Sequence, residues 1–120
     1  MTARAPEDLH ALLEAAFNER DIDALIALYE DDATQVVPPH GERVTGLDAI
    51  RAAVEPIMAR APRARMDVVE KVEGGGLAVT YGRWSLADSG DHEMSGRGTM
   101  VSRRQPDGSW RIALDNAMAP

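Results

Sequence analysis

The chain contains no cysteine. That excludes a disulfide framework, a thiolate metal site and a cysteine nucleophile, and leaves redox chemistry dependent on a bound cofactor for which no motif is present. Aromatic residues are scarce, with two Trp, two Tyr and one Phe, whereas alanine occurs 19 times. The core must therefore be built from small and aliphatic side chains. No run approaches the roughly 18–20 apolar residues of a membrane span, and Met1-Thr-Ala-Arg-Ala-Pro6 has no apolar leader segment. A soluble, cytoplasmic protein without a membrane partner is expected. Positive charge is also short, with 13 Lys+Arg against 20 Asp+Glu and a sequence pI near 4.8. Without a basic patch to neutralise phosphates, nucleic acid is not an expected partner.

With 120 residues, of which 44% are hydrophobic, the chain fits one domain over residues 1–120. The net charge of −7 is unevenly placed. Residues 1–32 hold nine acids and two arginines, and the remainder is balanced. The acidity is thus expected on an exposed helical face, where it aids solubility.

Leu9, Leu12, Leu13, Ala16 and Phe17 recur with helical period, and His10 is read as lying off that stripe, in solvent. Asp21 is a plausible N-cap for a second helix whose Ile22, Leu25, Ile26 and Tyr29 share a face. Ala33 to Val37 is β-prone and stops at Pro38-Pro39, after which a short strand around Arg43-Val44 completes a hairpin. Thr45-Gly-Leu-Asp48 resembles a capping box and opens a helix carrying Leu47, Ile50, Val54, Ile57 and Met58. After Ala61-Pro62 the pattern alternates. Turn signals at Gly74–Gly76, Asp88–Asp91 and Pro106–Gly108 divide residues 63–118 into four strands of an antiparallel meander. This order predicts an α+β fold: a cone-shaped, curved antiparallel sheet of four long strands plus a short hairpin, covered by three N-terminal helices. The space between helices and sheet is the expected ligand pocket.

The elements carry the phrases Asn18-Glu-Arg-Asp21-Ile-Asp-Ala-Leu, Leu28-Tyr-Glu-Asp-Asp-Ala-Thr34, Gly46-Leu-Asp-Ala-Ile50 and Asp107-Gly-Ser-Trp-Arg-Ile-Ala-Leu-Asp-Asn116. In this order they resemble the nuclear transport factor 2-like superfamily, which includes ketosteroid isomerases and SnoaL-like polyketide cyclases. The last phrase resembles most closely a small bacterial branch that includes SgcJ/EcaC-type proteins. The fold does not by itself carry a function. Against the ketosteroid isomerase pattern, the base position falls on Val37, the oxyanion-hole Tyr on Leu13, and its Asp partner near Met100. All three are apolar, so steroid isomerisation by that mechanism is not expected.

Against the SnoaL-like pattern, Gly108-Ser-Trp-Arg-Ile-Ala-Leu-Asp115 places Asp115 at the position of the cyclases' base. The resemblance implies acid/base chemistry of the isomerase, cyclase or dehydratase type on a small, mainly apolar molecule. Asp115 would act as base and His40, at the pocket mouth, would assist. By alternation the same face of the last strand carries Ala113 and Ala117, and its opposite face Trp110, Ile112 and Leu114. Other expected lining residues are Thr80, Gly82 and Trp84, Gly98 and Met100, and Val37, with Leu13, Phe17, Val54 and Met58 from the helices. No metal is expected: His40-Gly41-Glu42 resembles half of a zinc deaminase signature whose cysteines are missing. The rival expectation is a non-catalytic binding or dimeric adaptor module. Tyr81, Arg83 and Ser85 alternate onto the outer sheet face, where the resemblance implies a homodimer.

Overall fold

A computed structural model describes every residue except Met1, Pro62, Ser89 and Asp91. Parts of the N-terminal segment, the Ala61-Pro62 helix end and the Asp88–Asp91 turn read from the sequence fall on these four and lie outside the described residues. The chain runs α1 (Asp8–Glu19), α2 (Ile22–Ile26), β1 (Tyr29–Val37), β2 (Glu42–Thr45), α3 (Leu47–Arg60), β3 (Arg63–Gly74), β4 (Leu77–Ala87), β5 (Glu93–Arg104) and β6 (Trp110–Ala119). The strands form one six-stranded sheet in the order β2-β1-β6-β5-β4-β3, so the hairpin extends the sheet and no separate layer forms. Every pairing is antiparallel except β1 with β6. The α+β architecture with helices over a curved sheet is the one expected.

Local chemistry accounts for most boundaries. Asp21 caps α2, its Oδ1 accepting from the Ala24 N–H at 3.0 Å. Gly75 and Gly76, with φ of 62° and 78°, turn β3 into β4 in the left-handed conformation that a two-residue hairpin requires. Asp107 closes the β5–β6 turn by accepting from both the backbone and the hydroxyl of Ser109. Two expectations fail. The capping box does not form, because Thr45 ends β2 with its hydroxyl against that of Thr34 and Gly46, at φ 93°, is the cap residue of α3. Tyr29 does not belong to α2, which stops after five residues; it opens β1 instead.

Leu9, Leu25, Ile50 and Ile112 are wholly buried between the helices and the sheet. Helix α1 also secures the open sheet edge. Its Asn18 amide both accepts from the Ala64 N–H and donates to the Ala64 carbonyl, and Glu14 accepts from the Met66 N–H. Unpaired backbone groups of β3 are thereby closed to further strands. Glu7 pairs with Lys71 at 2.7 Å and Asp23 with Arg51 at 2.6 Å. Much of the N-terminal acidity therefore makes structural contacts, in contrast to the purely solvating role expected. Among the described residues no helix is long and apolar enough to cross a membrane.

Candidate functional site in the cone

Strand β6 departs from simple alternation. Ser102 pairs with Ile112 and Val101 with Leu114, which leaves Ala113 as one extra residue on β6. A bulge of this kind inverts the side-chain parity beyond it. Trp110 and Ile112 point inward before the bulge; after it Leu114 points outward, 42% exposed, and Asp115 inward. The expected grouping of Ile112 with Leu114, and of Ala113 with Asp115, is corrected accordingly.

Asp115 opens into a cavity between α1, α3 and the concave face of the sheet. Its volume is about 80 Å³. Of the residues named from the sequence, Leu13, Phe17, Val54, Gly82, Trp84, Gly98, Met100 and Ala117 lie along it. Val37, Thr80, Met58 and Ala113 do not. Val37 and Met58 are buried behind the wall, where the adjoining Pro38 and Ile57 take their places, and Ala113 is spent on the bulge. Thr80 lies behind the wall as the hydrogen-bond partner of His10. His40 is exposed in the β1–β2 turn and is not brought to Asp115.

The indole of Trp84 lies across β5. Its Nε1–H donates to the Ala117 carbonyl on β6 at 2.8 Å, and an added Cβ at Gly96 would stand 2.8 Å from its Cζ2 atom. Glycine at 96 is therefore needed for an aromatic floor at this position.

The polar groups follow the strand register. Gln35, Asp115, Met100 and Thr80 lie side by side on one inner rung across β1, β6, β5 and β4. The Tyr29 hydroxyl donates to Asp115 Oδ2 at 2.7 Å. Burial pushes the Asp115 carboxyl up to about 6, against the downward pull of that hydrogen bond. Tyr29 is itself raised well above its ordinary value, by burial first and then by the charge and hydrogen bond of Asp115, so it remains a donor. At the other end of the rung His10 Nε2 meets Thr80 Oγ1 at 2.8 Å, and burial holds the imidazole below its ordinary pKa.

Three of these groups escape the sequence reading. His10 is buried, 7% exposed, because it stands three and seven residues before Leu13 and Phe17 and so shares their face. Gln35 has the parity of buried Ala33 and Val37, a polar residue on an apolar face. Tyr29 carries no local signal, since its role depends on a partner 86 positions away. Among the described residues no cluster of three or more His, Asp or Glu is arranged to hold a metal.

A helix-covered cone over a curved sheet, with its cavity at the concave face, defines the class as nuclear transport factor 2-like. The family model of the SnoaL-like domain matches residues 9–113, and the chain belongs to that family. Among solved structures it resembles a Thiobacillus denitrificans protein named after the calcium/calmodulin-dependent protein kinase type II association domain, with TM-score 0.82, 23% identity, and coverage of 100% of this chain and 98% of that one. It also resembles an NTF2-like protein of unknown function from Pseudomonas putida (TM-score 0.77, 24% identity, 100% and 90% covered). A third is a ketosteroid isomerase-like protein from Erwinia carotovora atroseptica (TM-score 0.72, 20% identity, 95% and 94% covered). No curated protein matches the chain in sequence. The fold is compatible with small-molecule binding or catalysis.

Proposed function

We propose that the protein binds a small, mainly apolar carbonyl compound in the cone and moves a proton at the carbon beside the carbonyl, with Asp115 as the base. The observation that carries this reading is a half-buried carboxyl on the wall of an apolar cavity, raised by desolvation to about 6 and held by Tyr29. At neutral pH such a group is ionised yet basic enough to accept a carbon-bound proton. The carboxylate takes the proton, leaving an enolate, and the carboxylic acid so formed returns it to the same or another carbon. Isomerisation, ring closure and dehydration all begin this way. His40 is too exposed to take part; His10, neutral and fixed by Thr80, is the nearer imidazole.

Deuterium uptake at C2 of 1-tetralone in D₂O, followed by proton NMR, tests the base. The protein should accelerate exchange and Asp115→Asn should abolish the acceleration while the chain stays folded. Binding of tetralone with no acceleration by either form would support the rival reading, a non-catalytic binding module.

We further propose a homodimer through the outer sheet face. Val72, Val79, Val101 and Leu114 align on one outer rung across β3 to β6, with Val72 58% and the neighbouring Tyr81 41% exposed. Four adjacent apolar side chains beside an exposed tyrosine suit an interface. Light scattering should return about twice the 13.0 kDa chain mass; a monomer at micromolar concentration refutes the dimer. The acidic balance and the lack of cysteine favour a cytoplasmic protein without a nucleic-acid partner.

A further inference from the structure

Gln35 is only 7% exposed, lines the cavity, and its Oε1 is buried with no hydrogen-bond partner. A buried acceptor left unpaired is destabilising. The other such atom among the described residues, Ser102 Oγ, sits between Ala78 and Ile112 and does not line the cavity. Among the described residues, donors of the cavity wall are committed elsewhere. The Tyr29 hydroxyl is committed to Asp115, and the Trp84 N–H to the Ala117 carbonyl. His10 is at Thr80, three strands along the rung, which is roughly 14 Å at the usual strand spacing.

We infer that Gln35 is a specificity-determining residue whose Oε1 accepts from a ligand hydroxyl on the carbon beside the carbonyl, so that the ligand class is an α-hydroxy ketone with an apolar ring body. The spacing follows from register. Gln35 and Asp115 are lateral partners on β1 and β6 with both side chains facing the cavity, about 4.8 Å apart at the backbone. The donor held by Gln35 and the carbon approached by Asp115 are then placed close together on the ligand. A hydroxyl meets this without charge, whereas an ammonium donor would pair with the ionised Asp115 and weaken it as a base. The inference rests on the proposed role of Asp115 for the position of the acidic carbon.

The test is equilibrium dialysis of the intact chain at pH 7 against three matched probes: 2-hydroxy-1-tetralone, 2-methoxy-1-tetralone and 1-tetralone. The hydroxy ketone should bind at least tenfold more tightly than the other two, which should be similar, because losing a donor strands the acceptor. Gln35→Leu should reduce the preference to about one by weakening only the hydroxy ketone, with unchanged 1-tetralone binding reporting an intact cavity. Equal affinities in the wild-type chain, or a preference that survives in Gln35→Leu, would overturn the role of Gln35; the first outcome needs no variant. Deuterium exchange on 1-tetralone separates the two readings. Exchange with equal affinities leaves the Asp115 base standing and removes Gln35, while a hydroxyl preference without exchange removes the base and leaves Gln35 as the selector. Failure of all three probes to bind overturns both.

Discussion

The hydroxyl of Tyr29 donates to Asp115 Oδ2 at 2.7 Å, joining the first residue of β1 to the middle of β6 across the sheet's parallel pairing. The bond favours the ionised carboxyl and so opposes the effect of burial. Tyr29→Phe should raise the pKa of Asp115 beyond about 6. It should also destabilise the chain by about 2 kcal/mol at pH 8, where the carboxylate loses its donor, and by less at pH 5, where the acid is mostly protonated. Urea unfolding at the two pH values measures the difference; an equal loss at both would show that the bond does not discriminate between the two forms.

Asp115 makes stability depend on pH with a definite sign. Its native pKa of about 6 lies above the ordinary 3.8, so between those values the folded chain holds a proton that the unfolded chain has released. Its contribution therefore falls as pH rises from about 4 to about 6, by at most about 3 kcal/mol. Asp115→Asn keeps an acceptor for Tyr29 and removes the titration. Its stability relative to wild type should improve across that window and then level off, which thermal melts at intervals of half a pH unit would resolve.

His10 acts in the opposite direction. Burial lowers its pKa from 6.5, so below that value the unfolded chain takes up a proton that the folded imidazole resists. Stability should fall as pH drops through the ordinary histidine range. His10→Gln, which can still meet Thr80, should lose less stability than wild type between pH 7 and pH 5. Parallel curves would mean that the folded imidazole takes up its proton as readily as the unfolded one.

Two glycines in the sheet stand where a side chain would collide, only one of them with Trp84. In Gly96→Ala the new methyl would stand 2.8 Å from Trp84 Cζ2, and in Gly82→Ala it would stand 2.8 Å from the backbone carbonyl of Asp67. Each should cost on the order of 1–3 kcal/mol, as overpacking does. Gly96→Ala should also free the indole from the Ala117 carbonyl and shift Trp84 emission, read in a Trp110→Phe background. The Gly82 variant, whose clash is with backbone, should leave that emission nearer to wild type.

The fold was legible because its signals are local. The stripe Leu9, Leu13, Ala16, Phe17, the Asp21 cap, the paired glycines at 75 and 76 and the alternation of β4 each depend on neighbours a few residues away, and the structure keeps them all. Tyr29 was misread for the same reason. It continues the period of Ile22, Leu25 and Ile26, yet pairing with β6 draws it into β1, and tertiary contact overrides so short a helical pattern.

The sequence alone determined that a cone would form and that one carboxylate on its last strand was the residue to watch. Only the tertiary structure decided which face that carboxylate occupies and which side chains meet it. The extra residue at Ala113 arises from the pairing of β6 with β5 and inverts the parity of Leu114 and Asp115, and a period-two rule read along one strand contains no information about its partner's register. Gln35 and His10 likewise become part of the site through strand order and helix packing, which bring residues 25 or more positions apart onto one cavity wall.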